Sequence, residues 1–317
     1  MQITEKTVAA LTFAGILVLP LVLRFNPYYL SIFITALILG TVALSWNLLA
    51  GLCGQVSFGH AAFFGIGAYG SALLVMKAGW NPFAAMLAAA LFGVAGALII
   101  GIPAFRLRGP YFALSILGFA EVVKLLTLNL TGLTDGSQGL FNIPSLPTLR
   151  LGGWAIDFYI SRTTNYYLAA LIMLGVYLII YFLRNSNAGL AMSAVHGDEE
   201  TAAGIGVPVF RTKLLTLLVS AFCTSLTGAF YAHYVHFLNP DSAFDGAWSV
   251  MPIVASLFGG MSTLIGPSIG ALLITGLDEF VFKHFFETGH KLFFGLLLAV
   301  VIVWAPKGLF GKSIRKK

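Results

Sequence analysis

Charged residues are scarce in this chain of 317 residues, where Asp, Glu, Lys and Arg together make up 9%. Soluble domains carry about 25% charged residues, so this chain has too few polar groups to cover a surface that faces water. Its hydrophobic residues make up 58%, and its mean hydropathy is +0.91. The composition therefore excludes a globular enzyme of the cytosol.

Cysteine is nearly absent as well. Cys53 and Cys223 lie in apolar segments 170 positions apart, which supports neither a disulfide framework nor the spacing of a metal site. Acidic residues number 12 against 18 Lys and Arg, and the basic residues are spread along the chain. In a chain of this composition, that excess indicates positive cytoplasmic loops and not nucleic-acid binding.

The sequence also has no convincing nucleotide-binding loop. Residues 306–313 end in Gly-Lys-Ser, but proline stands where the first loop glycine belongs, and the segment follows an apolar run rather than a strand. We interpret this segment as a basic tail at the membrane edge. His60, His233 and His236 form no metalloprotease pattern with an adjacent Glu. We therefore expect no ATPase, cofactor, metal or catalytic residue in this chain.

Long apolar runs are what the sequence has in place of charge. Ten of them can be bracketed by polar or helix-breaking residues, and several reach the ~18–20 residues that cross a bilayer. We predict an all-α polytopic membrane protein with eight to ten spans. The ten segments are residues 8–23, 31–50, 56–76, 83–105, 111–130, 166–183, 214–238, 247–258, 262–277 and 292–306.

Two of these segments, 247–258 and 262–277, are too short to cross a bilayer comfortably. They fit broken or re-entrant helices, which are tolerated in a membrane only where the backbone is buried in protein or lines a cavity. They fit equally well a single helix with a kink at Gly259 and Gly260. The sequence leaves both interpretations open.

Basic residues predict the orientation. Arg106 and Arg108, the stretch 184–213 and the tail from Lys307 onwards should all be cytoplasmic. This arrangement puts both termini and eleven of the 18 basic residues inside and six outside, with Lys124 within a span. We predict one membrane domain over residues 1–317, with an extracytoplasmic loop at 131–165 and a cytoplasmic loop at 184–212.

Small residues are concentrated around positions 51–71 and 259–271. Glycine and alanine surfaces let helices approach closely, so tight packing explains most of these residues. Polar side chains within the two stretches are candidates to line a translocation pathway, or else to satisfy backbone groups at a helix break. These candidates are Gln55, Ser57, His60, Ser262 and Thr263.

Glu121 and Lys124 lie three positions apart in the predicted span 111–130. Ionisable groups at that depth are costly and are expected to face a partner or a cavity. The pair is therefore either a structural ion pair, which we favour, or a second set of pathway candidates.

Six ordered blocks of sequence resemble the LivM-type permeases, which are the membrane subunits of branched-chain amino acid ABC importers. The block at 46–51 reads Trp-Asn-Leu-Leu-Ala-Gly, and it continues at 54–69 with Gly-Gln-Val-Ser-Phe-Gly-His and a small-residue run. The further blocks are residues 107–113 with 119–121, 133–140, 197–207, 259–267 and 304–311. The resemblance extends over essentially the whole chain.

The resemblance implies a permease subunit of the bacterial or archaeal cytoplasmic membrane that carries leucine, isoleucine and valine. It implies a homologous LivH-type permease, two cytoplasmic ATPase subunits that bind ATP and Mg²⁺, and a periplasmic substrate-binding protein as partners, with membrane lipid around the spans.

Residues 198–206 resemble the coupling segment of ABC permeases, a short helix that sits in a groove of the ATPase. The resemblance assigns the ATPase contact to Asp198, Glu199, Glu200, Ala202, Ala203, Gly204 and Ile205. Its acidic members would pair with basic residues of the ATPase. One departure stands out: family members usually carry a basic residue before the acidic cluster, whereas here 191–197 reads Ala-Met-Ser-Ala-Val-His-Gly. The coupling contact would then use different charges.

Two alternatives stay open. Related permeases carry urea, short amides, or other amino or aromatic acids. A proton-coupled secondary transporter is a rival from another class, and its candidate proton carriers are Glu121, Asp278 and Glu279.

Overall fold

A computed structural model of the chain describes residues 5–23, 25–107, 109–151, 154–261, 263–282 and 308. Helices account for most of these residues. In chain order they are α1 (Glu5–Val22), α2 (Pro27–Asn47), α3 (His60–Ala78), α4 (Pro82–Ala104), α5 (Pro110–Asn129), α6 (Thr131–Thr134), α7 (Arg162–Arg184), α8 (Asn187–Gly197), α9 (Glu199–Gly204), α10 (Val209–Val235), α11 (Pro240–Ala243), α12 (Ala247–Gly259) and α13 (Gly266–Leu277).

Six helices in the described part of the chain are long and apolar enough to cross a membrane. They are Pro27–Leu52, His60–Ala78, Pro82–Ala104, Pro110–Asn129, Arg162–Arg184 and Val209–Val235. The apolar part of α1, Thr7–Val22, is shorter. The predicted span 292–306 lies outside the described residues. A helical, multi-pass membrane protein is therefore the architecture, as the apolar runs predicted.

Local sequence signals fix where these helices begin and end. The Asn81 side chain accepts a hydrogen bond of 2.9 Å from the backbone N–H of Phe83, and Pro82 occupies the first helical position of α4. Gly79 ends α3 in the left-handed conformation, with φ +65°, that closes many helices. The connection between α3 and α4 is consequently a tight turn.

The segment before α3 differs from the sequence prediction. The run 56–76 was expected to be helical throughout, but α3 begins only at His60. A π-helical segment, Leu48–Leu52, continues α2, and residues 54–59 are non-helical. Gly54 has φ +76°, a conformation that favours glycine, and a Cβ there would lie 3.3 Å from the Cα of His196. We call residues 54–59 the α3 break.

The two short apolar pieces are separate helices, α12 and α13, rather than one kinked helix. A Cβ added at Gly259 would overlap the backbone oxygen of Gly266, and one at Gly270 would overlap that of Ala255. The two helices thus fold back along each other at glycine contacts. Continuous helix is excluded because α12 has ended before the chain reverses.

Short strands modify the all-α prediction. The part of the chain that the structure describes contains β1 (Leu140–Phe141), β2 (Leu149–Leu151), β3 (Trp154–Ile156) and β4 (Phe237–Leu238). β1 pairs antiparallel with β4, and β2 pairs antiparallel with β3. Three of the four strands lie in the loop predicted at 131–165. Pairing satisfies backbone groups that an irregular loop would leave without partners.

The described residues form two compact units. One falls within residues 1–47, 162–181 and 251–317, and the other within 48–161 and 182–250. The core of the first is formed by Leu39, Ala43, Val254, Ala255, Phe258, Ala271 and Ile274. A principal core of the second is formed by Leu49, Phe63, Ala97, Ala104, Phe112, Ile116, Leu217 and Ala221.

Candidate functional site

The predicted coupling segment forms α9, a six-residue helix between α8 and α10. Asp198 caps its N-terminus, and the Asp198 carboxylate accepts a hydrogen bond of 2.6 Å from the backbone N–H of Thr201. Hydrogen bonds from the side chain and backbone of Thr201 hold the pKa of the Asp198 carboxyl below its ordinary value. The sequence adopts this turn because an aspartate precedes a run of good helix formers.

One face of α9 is covered by its own chain and another is open. Ala202 is 2% exposed, so the chain itself buries a residue that was expected on the ATPase side. Ala203 and Gly204 are exposed, and Ile205 is 73% exposed. A Cβ at Gly204 would meet nothing within 4 Å. The open face therefore presents a small apolar surface ending in an isoleucine.

Glu199 has partners inside the chain. Its Oε1 accepts a hydrogen bond of 3.0 Å from Nε2 of Gln55, and it forms an ion pair with Nζ of Lys213. The Lys213 side chain is 7% exposed, and its Nζ lies 5.9 Å from the centre of the Phe105 ring. Of the three acidic residues predicted to meet an ATPase, Glu199 is thus engaged with the α3 break and with α10.

The other polar candidates in the α3 break and directly after it are buried. The Ser57 hydroxyl accepts a hydrogen bond of 3.3 Å from the backbone N–H of Gly59. His60 is 0% exposed, and its Nε2 lies 2.9 Å from Oγ of Ser220 in α10. The backbone N–H of Ala61 donates to Oγ of Ser249 at 3.0 Å. These contacts satisfy the backbone N–H groups of Gly59 and Ala61 and one ring nitrogen of His60 at a helix start, where intrahelical partners are missing.

Thr263 performs the same task at the start of α13. Its hydroxyl donates to the carbonyl of Gly260 at 2.8 Å and accepts from the backbone N–H of Gly266 at 3.1 Å. Its own carbonyl accepts a hydrogen bond of 3.0 Å from Nδ2 of Asn47. Ser262, the neighbouring candidate, lies outside the described residues.

The two ionisable residues of α5, Glu121 and Lys124, do not form the ion pair with each other that we favoured from the sequence. Lys124 forms its ion pair with Asp241 of α11, at 2.8 Å between Nζ and Oδ1. Glu121 is exposed, and within the described ranges it is not the partner of Lys124. Of the other proposed proton carriers, Glu279 accepts a hydrogen bond of 2.9 Å from the hydroxyl of Tyr28.

His233 and His236 make structural hydrogen bonds near the end of α10. Nε2 of His233 lies 2.8 Å from Oγ of Ser71, and its Nδ1 lies 2.7 Å from the carbonyl of Pro144. Nδ1 of His236 lies 2.9 Å from the carbonyl of Ile143. Both rings therefore connect the loop after β1 to the end of α10 by hydrogen bonds.

Sequence reasoning missed Lys213, Asp241, Ser220 and Asn47 as partners of the candidate residues. Lys213 carried one available signal, because it directly precedes the apolar run 214–238 and was counted only as a cytoplasmic charge. Asn47 lies in the block 46–51 that carries the family resemblance, which does not indicate its partner, and Ser220 and Asp241 carry no local signal that separates them from ordinary polar residues.

Comparison with known proteins gives a consistent result. The family model described as branched-chain amino acid transport system, permease component, matches residues 28–303. The permease protein LivM of the high-affinity branched-chain amino acid transport system of Escherichia coli K12 is 32% identical over 286 residues, covering 84% of this chain and 66% of that protein. The chain therefore spans slightly less than two thirds of the length of that relative.

Two further relatives carry related names. LivH, a permease protein of the same Escherichia coli K12 system, is 25% identical over 311 residues, covering 90% of this chain and 96% of LivH. A probable branched-chain amino acid permease LivM of Methanocaldococcus jannaschii is 22% identical over 241 residues, covering 71% of this chain and 67% of that protein.

Proposed function

The chain belongs to the family of branched-chain amino acid transport system permease components, and from that premise we propose that it is the membrane-spanning subunit of an ABC importer for leucine, isoleucine and valine. It is a multi-pass protein of the cytoplasmic membrane. The proposed complex contains a homologous LivH-type permease and two cytoplasmic ATPase subunits that bind ATP and Mg²⁺. A periplasmic binding protein delivers the amino acid.

The proposed topology places both termini in the cytoplasm and treats residues 1–317 as one permease domain. Residues 131–165 are then extracytoplasmic and 184–212 cytoplasmic, in line with the excess of basic residues on the inner side. Eight to ten crossings result when the six long helices are joined by α1, by the α12–α13 pair and by the run 292–306.

The observation that carries the coupling role is the open face of α9. Ile205 is 73% exposed beside the exposed Ala203 and Gly204, on a loop that the orientation assigns to the cytoplasm. A large exposed apolar side chain, on a segment that also carries the exposed Glu200, fits a groove with an apolar floor and a basic rim. Asp198 holds the helix that presents this face.

The α3 break connects two of the long apolar helices, Pro27–Leu52 and His60–Ala78, and it carries polar side chains among small residues. Within a membrane, non-helical backbone is tolerated only where protein buries it or where it lines a water-filled cavity. We propose that Ser57 and His60 lie close to a water-filled cavity, and that Thr263 lies close to one at the start of α13. A zwitterion that passes such groups must be held weakly, so selectivity belongs to the binding protein.

Reconstitution tests this function. The chain is co-expressed with the homologous permease and the ATPase subunits, purified, and placed in proteoliposomes with the binding protein outside and ATP inside. We expect uptake of labelled leucine, isoleucine and valine that requires every subunit. Uptake of urea, short amides or aromatic acids in their place would assign a different substrate. Uptake by this chain alone under a proton gradient would instead establish a secondary transporter.

A further inference from the structure

Glu199 connects three parts of the chain that lie far apart in sequence. It is the first residue of α9, Gln55 lies in the α3 break, and Lys213 is the fifth residue of α10. Nε2 of Gln55 and Nζ of Lys213 both contact the same carboxylate oxygen, Oε1 of Glu199. One side chain of the short cytoplasmic helix is thus bonded to the start of a spanning helix and to the break that leads into another.

Burial makes this junction hard to open. The Lys213 side chain is 7% exposed, whereas the Glu199 side chain is 43% exposed. If Glu199 moved away from Lys213, an ammonium group would stay buried beside the Phe105 ring without its counter-charge. Removing one partner of a buried pair is strongly unfavourable, more so than breaking an exposed pair. Lys213 therefore keeps Glu199 in place while α9 moves.

Backbone packing also holds the segment from α8 to α9 against the α3 break. The Cβ position of Gly54 faces the Cα of His196, 3.3 Å away, so the last turn of α8 rests directly on the α3 break. Ala202, in the middle of α9, is buried. The segment from α8 to α9 is therefore seated on the break by packing and fastened to it by Glu199.

We propose that Gln55, Glu199 and Lys213 form a coupling latch, which makes α9, the α3 break and the first turns of α10 move as one body. This inference rests on the proposed importer function. Gln55 is then a positioning residue that transmits movement, not a group that contacts the amino acid. Glu199 is likewise an internal residue, and contact with the ATPase is left to the open face of α9.

A charge exchange tests the latch. Glu199→Lys alone sets two ammonium groups together, and Lys213→Glu alone sets two carboxylates together. Each single variant is expected to lower ATP-driven uptake at least about tenfold, because a buried charge loses its partner. In the double variant the opposite charges are restored, and the Gln55 amide can accept from the new lysine through its oxygen. The double variant should recover to within about threefold of the wild type.

The double variant separates the latch from direct contact with the ATPase. If Glu199 instead pairs with a basic residue of the ATPase, exchanging the charges leaves that contact repelled, and uptake does not recover. Glu200→Lys is the control on the same turn of α9. Its defect should not be relieved by Lys213→Glu. Failure of the double variant to recover, when the complex is assembled, would overturn the proposal.

A second variant covers the case in which the charge variants do not assemble. Gln55→Leu keeps the size of the side chain and removes the hydrogen bond to Glu199. We expect ATP hydrolysis to continue while the leucine taken up per ATP falls at least about threefold. Gln138→Leu, the same change at an exposed residue of the loop 131–165, is the matched control and should leave this ratio unchanged. An unchanged ratio in Gln55→Leu would contradict the latch, whereas absence of ATP-driven uptake in the wild type would contradict the importer function itself.

Discussion

The side-chain amide of Gln55 donates a hydrogen bond of 3.0 Å to the carboxylate of Glu199, although the two residues are 144 positions apart in the chain. The sequence suggested unrelated roles for them, one along a translocation pathway and the other on the ATPase. Their contact means that the cytoplasmic helix α9 and the α3 break are directly bonded. A substitution at either residue should therefore remove a hydrogen bond of the other.

The open face of α9 gives the first prediction. Ile205→Asp places a carboxylate at the centre of the proposed apolar contact, where burial without a partner costs more than about 1.4 kcal/mol. The amount of ATPase subunit that co-purifies with the membrane subunits should fall at least about tenfold. Ile160→Asp is the matched control, since Ile160 is 80% exposed in the loop 131–165. Equal retention of the ATPase in both variants would show that the open face of α9 does not contact the ATPase.

The cap of α9 gives the second prediction. Asp198→Ala removes the acceptor for the Thr201 N–H, whereas Asp198→Asn keeps one. Hydrogen–deuterium exchange of the peptide containing residues 199–206 should therefore rise in Asp198→Ala and stay near the wild-type rate in Asp198→Asn. Similar exchange in the two variants would show that the cap does not hold this helix.

The same cap has a defined pH dependence. The pKa of Asp198 is lowered in the folded chain by hydrogen bonds from Thr201. A lowered carboxyl pKa contributes stability that is fully present above the unfolded pKa and is lost as the pH falls through the folded value. The exchange protection of 199–206 due to this cap should thus be constant between about pH 7 and pH 5 and weaken only near or below the ordinary aspartate pKa of about 3.9. Loss of the Asp198-dependent protection near neutral pH would contradict this assignment.

Glycine packing inside the larger unit gives a stability prediction. A Cβ at Gly67 in α3 would overlap the backbone oxygen of Ser225 in α10, so Gly67→Ala forces the two helices apart. Overpacking of this kind costs about 1–3 kcal/mol. The melting temperature of the detergent-solubilised chain should fall. Gly118→Ala in α5 is the control, because a Cβ there meets nothing within 4 Å. Equal melting temperatures for the two variants would show that Gly67 does not pack tightly against Ser225.

The pathway proposal gives a prediction about bulk and access. Ser57→Trp should abolish uptake while the complex still assembles, whereas Leu17→Trp, at a position of α1 that is 57% exposed, should be tolerated. Single cysteines at Ser57, His60 and Thr263, in a background without Cys53 and Cys223, should react with a water-soluble thiol reagent in at least one nucleotide state. If all of them resist the reagent in every state, the α3 break and the start of α13 pack against other protein and do not line an aqueous path.

The sequence predicted the helices well because apolar runs and their breakers are local signals. Asn81 with Pro82, and Gly79, mark the turn between α3 and α4 without reference to any other part of the chain. A helix break was one of two interpretations for Gln55, Ser57 and His60, but its position was not predicted, because Val56 and Phe58 are as apolar as the helix that follows. Its geometry depends on tertiary neighbours such as His196, which lies 3.3 Å from the Cβ position of Gly54.

The candidate residues were recognised individually, but their partners were not. Thr263 and Ser57 were recognised as polar residues among small ones, and both hydroxyls accept hydrogen bonds from backbone N–H groups near helix starts. Lys124 was expected to pair with Glu121, three positions away, because helix periodicity favours that neighbour. It pairs with Asp241 instead, a choice that depends on where α11 lies in the fold.

If ATP hydrolysis by partner subunits drives amino acid import through this chain, uptake of labelled leucine into sealed proteoliposomes should depend on that hydrolysis. The complete complex is compared with ATP and with a non-hydrolysable analogue inside, under an imposed proton gradient, in each case with and without a protonophore. We expect accumulation above the external concentration with ATP, whether or not the protonophore is present, and none with the analogue. Accumulation that needs no ATP and is abolished by the protonophore would contradict this expectation.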